Sequence, residues 1–199
     1  MDFLVDIALS RLRARKEAGM PNSGEGESAC CLMWIPPGEI TSALEISGGE
    51  LAGGMHLTIA YLPGADPVAV IRAVEASLAG VTGLSGSVAG LGLWPSKDGG
   101  FCAVALCDVP GLSELRTDLV RALDDAGITV SDAHGFTPHI TLAFAPSPGE
   151  LPSLGVPEAL PLVVGSVSVV GPDSTKEALD VRDVILLGPP DTEKSSIPD

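Results

Sequence analysis

The chain has 199 residues, 45% hydrophobic and 4% aromatic, enough for one ordinary core built from Val, Leu, Ile and Ala. Its formal net charge is -15, and residues 28–188 carry six Lys or Arg against eighteen Asp or Glu. Such a surface disfavours long nucleic acids, whose binding rests on cations neutralising many phosphates, but leaves room for a small nucleotide in a local pocket. No apolar run reaches the roughly 18 residues of a membrane span. The N-terminus lacks the basic-then-apolar order of a secretory signal. Cys30, Cys31, Cys102 and Cys107 form no C-x-x-C pair and read as buried free thiols in a reducing, cytoplasmic setting.

In chain order, residues 3–18 (FLVDIALSRLRARKEA) read as a short amphipathic helix, packed on the domain edge or offered to a protein partner, and PNSGEGES follows as a linker. Residues 1–27 therefore stand apart from a domain over 28–188, and the polar tail 189–199 reads as disordered. Cys30–Ile35 is a predicted buried strand stopped by Pro36-Pro37-Gly38, and Met55–Leu62 is a second strand. Asp66-Pro67 gives an N-cap and a first-turn proline to a helix whose Val68, Ile71, Val74 and Leu78 share a face, and Gly80 ends it. Strands follow over Ser85–Leu93 and Phe101–Cys107. Leu112, Leu115, Leu119, Leu123 and Ala126 mark a second amphipathic helix, ended by Gly127. Ile140–Ala145, Leu162–Val170 and Val184–Leu187 complete the strands.

One segment occurs twice. His56-Leu-Thr-Ile-Ala-Tyr-Leu-Pro63 aligns with His139-Ile-Thr-Leu-Ala-Phe-Ala-Pro146 at an offset of 139 − 56 = 83 residues, with His, Thr, Ala and Pro identical. A repeat of this kind implies two related halves. Side chains alternate along a strand, so His56 shares a face with Thr58, and His139 with Thr141, while Leu57, Ile59 and Tyr61 turn to the opposite, apolar layer. Brought together about a pseudo-twofold, two imidazoles and two hydroxyls surround one small cavity. An imidazole titrates near pH 6.5, so one accepts a proton while the other donates, and the threonines can bond non-bridging phosphate oxygens. The pseudo-twofold leaves acid and base interchangeable. No metal or other cofactor is called for if an imidazolium carries the positive charge.

At His56/Thr58 and His139/Thr141 the sequence resembles the two-histidine (2H) phosphoesterase superfamily, which includes 2′-5′ RNA ligase-like proteins and cyclic phosphodiesterases. The signature there is a pair of H-x-[T/S]-hydrophobic motifs, one per lobe, and the resemblance covers residues 28–188. It implies an α+β bilobal domain, with two antiparallel sheets lining a central cleft and helices outside. It also implies metal-independent hydrolysis or cyclisation at a ribose phosphodiester. Substrates in that superfamily run from 2′,3′-cyclic phosphates and 2′-5′-linked RNA to cyclic oligonucleotide signals, which some phage relatives degrade against host defence. Beside the four motif residues, the candidate substrate contacts are Tyr61, Phe144, Trp94 and Phe136 as aromatic surfaces, His134 in the loop before the second motif, and Lys97 for a phosphate. Rival readings are RNA end-processing or ligation, a nucleotide-binding module without catalysis, and an interaction protein working through its N-terminal helix. A zinc site is disfavoured, since no close ligand pair among the His and Cys has zinc-site spacing.

Overall fold

The computed structural model describes residues 29–46, 50–51, 54–96, 99–133, 135–148, 159–174 and 178–190. The helix expected over 3–18, its linker, Lys97, His134 and the tail from 191 lie outside the described residues. The described chain runs β1 (Ala29–Trp34), α1 (Gly38–Leu44), β2 (Glu50–Leu51), β3 (Leu57–Pro63), α2 (Pro67–Leu78), β4 (Leu84–Pro95), β5 (Phe101–Asp108), α3 (Leu112–Asp125), β6 (His139–Ala145), β7 (Pro161–Val164), β8 (Ser166–Val170) and β9 (Val181–Leu186).

The helices form where caps and periodicity place them. Asp66 accepts a hydrogen bond from the Val68 amide at 3.3 Å, and Pro67 opens α2 with its φ already set. The buried stripe of α2 is Val70, Val74 and Leu78, not the one through Val68 and Ile71, and Val68 is exposed. In α3 the buried stripe is Leu112, Leu115, Leu119 and Leu123, as the spacing predicts, while Ala126 lies just past the end and is exposed. The short helix α1, directly behind Pro36-Pro37, was not anticipated. Helix α2 packs on α3 and on β8 and β9, and α3 packs on β3, so both cover one side of the sheet and share a core with Leu57, Ile59, Ile140 and Leu142. No helix among the described residues is long and apolar enough to cross a membrane.

The two expected sheets are one. Among the described residues eight antiparallel strands run β7-β4-β5-β6-β3-β1-β8-β9, and β2, paired to β6, makes the ninth. The order is palindromic about the β6–β3 junction, and exchanging β3 with β6, β1 with β5, β8 with β4 and β9 with β7 maps each half on the other. The halves join at one ladder pair, Leu57 with Ile140. These are equivalent positions of the 83-residue repeat, so the pseudo-twofold passes through the pair. The halves meet again at the far end. The expected single strand over Leu162–Val170 breaks at Gly165 into β7, paired to β4, and β8, paired to β1. Beside that break Leu187 donates its amide to the Gly165 carbonyl, and Thr82 bridges Gly188. The sheet is therefore curled, with its two ends laced together.

Close approach of strands demands glycine at Gly86. A Cβ on Gly86 in β4 would collide with the Asp108 carbonyl oxygen and stand 2.7 Å from the Val109 Cα, whereas a Cβ on Gly90, four residues on, meets nothing within 4 Å. Gly86→Ala is expected to lower unfolding free energy by about 1–3 kcal/mol, the usual cost of overpacking against a backbone that cannot yield. Gly90→Ala should change it by less than about 0.5 kcal/mol. Urea midpoints of the two variants measure this, and equal midpoints would contradict the packing.

Candidate active site

The repeat folds alike in both halves, down to its irregularities. In β3, Thr58 pairs with Met33 and Ala60 with Leu32, leaving Ile59 unopposed. In β6, Thr141 pairs with Val104 and Ala143 with Ala103, leaving Leu142 unopposed. Ile59 and Leu142 are equivalent, so each copy carries the same β-bulge. An extra residue moves every later side chain to the other face. Tyr61 and Phe144, which simple alternation sends to the apolar layer, instead emerge on the face of the histidines, 46% and 39% exposed, while Leu62 and Ala145 are buried. The expectation that Tyr61 packs in the apolar layer is corrected on this ground.

His56 lies just ahead of β3 and His139 opens β6. Carrying the antiparallel Leu57–Ile140 register one residue to each side sets His56 opposite Thr141 and Thr58 opposite His139. All four then lie on the face opposite the buried Leu57 and Ile140, and all four are half-buried. On that register each imidazole is aligned with the threonine of the other copy, although the ladder itself ends at the Leu57–Ile140 pair. In a continued ladder His56 and His139 would lie on a diagonal, where backbones are about 7–8 Å apart, and the two rings are near enough for the His56 charge to act on His139.

Both rings are held by the same device. His56 Nδ1 donates to the Gly54 carbonyl at 2.7 Å, and His139 Nδ1 donates to the Thr137 carbonyl at 2.7 Å. Gly54 and Thr137 are again 83 residues apart. A carbonyl only accepts, so Nδ1 carries the proton in each ring and Nε2 is left bare in the neutral form. The repeat begins at the histidines by residue identity, and a contribution made by backbone carbonyls of two different residues leaves no trace in the sequence. Gly54 reaches its position with φ 65°, in the left-handed region.

The other expected contacts divide. Trp94 sits against His139, ring centroids 4.4 Å apart at 61° between planes. Phe136 is half-buried on the core, with the Arg116 guanidinium 4.9 Å from its ring centroid. Arg116 escaped the sequence reading. Its Nε donates at 3.0 Å to the carbonyl of the bulged Ile59, and the Ser131 amide donates at 2.9 Å to the Tyr61 carbonyl. Together they cover the edge of β3 that β6 leaves unpaired, as β2 covers the matching edge of β6. Burial, with the His56 charge adding and the Thr137 carbonyl opposing, holds His139 below the ordinary imidazole range. No group of three or more His, Cys, Asp or Glu among the described residues is placed to hold a metal. The cysteines are free, and burial pushes the Cys107 thiol up to about 12.

No protein-family model and no curated protein sequence matches the chain. Solved structures match it in fold. It is similar to a crystal structure described as a phosphoesterase, with a TM-score of 0.58 and 17% identity over 82% of this chain and 99% of that one. It is similar to E. coli LigT complexed with NADP+, with a TM-score of 0.56 and 16% identity over 82% of this chain and 99% of that one. It is likewise similar to TT0787 of Thermus thermophilus, with a TM-score of 0.57 and 19% identity over 81% and 98% of the two chains. LigT is also known complexed with 3′-AMP and with ATP. The chain has a LigT-like fold, a mixed α/β architecture on a curled antiparallel sheet, and the resemblance carried by its two His-x-Thr motifs falls on that fold.

The hydrogen bonds to Gly54 and Thr137 fix the tautomers. Nitrogen-15 chemical shifts at high pH should show both His56 and His139 protonated at Nδ1 and bare at Nε2. An Nε2-protonated form of either ring would contradict the geometry.

Proposed function

We propose that this chain is a phosphodiesterase that cleaves a small nucleotide by two-histidine acid–base catalysis. The observation that carries the reading is the matched pair of rings, each hydrogen-bonded through Nδ1 to a backbone carbonyl, on either side of the Leu57–Ile140 pair that joins the two copies. One neutral Nε2 takes a proton from the attacking water or ribose hydroxyl as its oxygen bonds to phosphorus. The imidazolium opposite gives its Nε2 proton to the departing oxygen as the old P–O bond breaks. Thr58 and Thr141 donate to the non-bridging oxygens, and the imidazolium offsets charge gathering on them. This route needs no metal.

A small substrate fits the charge. Residues 28–188 hold twelve more acids than bases, 18 − 6, so a long RNA approaches an unfavourable field. The nucleotides bound to LigT are small, which supports the same class here. The substrate classes in view are 2′,3′-cyclic phosphates, 2′-5′ linkages and cyclic oligonucleotides, with Tyr61 and Phe144 as exposed rings on the site face for bases to stack on.

His56→Ala and His139→Ala should each cut turnover by about 10²- to 10⁴-fold with the fold intact, and Thr58→Ala and Thr141→Ala by less. Activity should persist in excess EDTA. A product screen by mass spectrometry against the three substrate classes tests this, and full activity in either histidine variant would sink the mechanism. The pH profile should be bell-shaped. Because His139 is held low, its neutral form survives to lower pH, and the acidic limb should fall below the ordinary imidazole midpoint near 6.5. A limb lying above it contradicts the reading.

Charge sets a further expectation. Each phosphate contacted on a single strand adds about −0.7 to the slope of log affinity against log salt. A small substrate making one or two contacts should give a shallow slope, and a thirty-residue RNA should be a poorer substrate at physiological salt. Preference for the long RNA, falling steeply as salt rises, would overturn the small-substrate reading.

A further inference from the structure

The repeat makes the two histidines equivalent, but the sheet does not treat them alike. In one half the row of paired residues runs Phe144, Cys102, Trp94. In the other half the matching row runs Tyr61, Cys31, Val170. A tryptophan therefore stands on the His139 side where the His56 side has a buried valine. The indole can lie back along β4 because Gly92 offers no side chain. A Cβ there would stand 3.4 Å from the Trp94 Nε1 and 3.1 Å from the Val104 Cγ2. Val104 pairs with both Gly92 and Thr141, so the indole covers the row next to the reacting groups before meeting the His139 ring edge to face.

We propose that Trp94 is a positioning residue that makes the two histidines unequal, holding His139 as the proton acceptor and leaving His56 as the donor, so that the attacking oxygen enters at His139 and the leaving oxygen departs at His56. The inference rests on the two-histidine reading and adds a direction to it. An indole packed on an imidazole displaces water from that side, which disfavours the charged ring, and it fixes the ring plane. The groups facing His139 agree. Strand β4 presents Trp94, β5 presents the apolar Leu106 with Asp108 two residues further at the exposed strand end, and β3 presents Thr58 and His56, whose charge also favours a neutral His139. The Thr137 carbonyl opposes this and is outweighed. In the cycle, neutral His139 Nε2 takes the proton of the attacking hydroxyl as its oxygen bonds to phosphorus. The P–O bond to the leaving group breaks as His56 Nε2 protonates it. Both rings are then reset by proton exchange with solvent.

Two measurements on the full chain test this. In the first, proton NMR follows the titration of each imidazole in wild type, Trp94→Leu and Trp94→Phe. The His139 midpoint should lie below 6.5 in wild type, rise in Trp94→Leu, and stay close to wild type in Trp94→Phe. The second compares a nucleoside 4-nitrophenyl phosphodiester, whose leaving group needs no proton, with 2′-5′-linked diadenosine phosphate, whose leaving group does. His56→Ala should fall about 10²- to 10⁴-fold below wild type on the dinucleotide and lose less, by about tenfold or more, on the nitrophenyl ester, where only the charge of the imidazolium is missing. His139→Ala should be down by about 10²- to 10⁴-fold on both. The inference is overturned by the reverse pattern, by equal losses in both variants on both esters, or by a His139 midpoint that does not move in Trp94→Leu. Full activity of both histidine variants on both esters would instead remove the two-histidine reading on which it rests.

Discussion

Strands β3 and β6 share one ladder pair, Leu57 with Ile140, and that pair is the constraint on which the rest of the site depends. Two strands that overlap by a single pair and run apart leave two unpaired edges, and unpaired backbone groups are costly to bury. The chain covers one edge with Glu50–Leu51 and the other with Arg116 and Ser131. The same short overlap puts His56, Thr58, His139 and Thr141 together on one face, while the helices bury the opposite face. A longer overlap would register more of β3 against β6 but would close the edges where the site's surroundings are built.

Chemistry and charge are separated in this molecule. The surface is strongly acidic, yet the proposed reaction needs positive charge beside a phosphate. A histidine supplies that charge when it is protonated, and the neighbouring ring can stay neutral. Fixing Nδ1 on a backbone carbonyl in both rings removes the tautomeric ambiguity and leaves one nitrogen in each to exchange protons. The bulges at Ile59 and Leu142 turn Tyr61 and Phe144 onto the same face as the histidines, so aromatic surface is exposed there without joining the core.

Much of this was legible in the sequence. The repeat gave itself away because His, Thr, Ala and Pro recur at matching positions, and strand alternation joins each histidine to its threonine on one face. What stayed hidden depends on pairing and not on residue type. A bulge is a property of two strands, so the faces of Tyr61 and Phe144 could not be read from one. Helix α2 is apolar on more than one side, and only packing selects Val70 and Val74 over Val68 and Ile71. The break at Gly165 sends β7 and β8 to opposite halves of the sheet, although the apolar run through them is continuous. Joining two expected sheets into one takes a single hydrogen-bonded pair and the lacing at Gly165 and Gly188, which no local pattern announces.

Two-histidine catalysis requires that both imidazoles serve one phosphate. A crystal structure of the chain with 3′-AMP, or with another small nucleoside phosphate, tests it most directly. Nε2 of His56 and Nε2 of His139 should each lie about 3 Å from oxygens of the same phosphate, with the Thr58 and Thr141 hydroxyls on its remaining oxygens. A phosphate bound away from the Leu57–Ile140 junction, or touching one histidine while the other faces solvent, would contradict it.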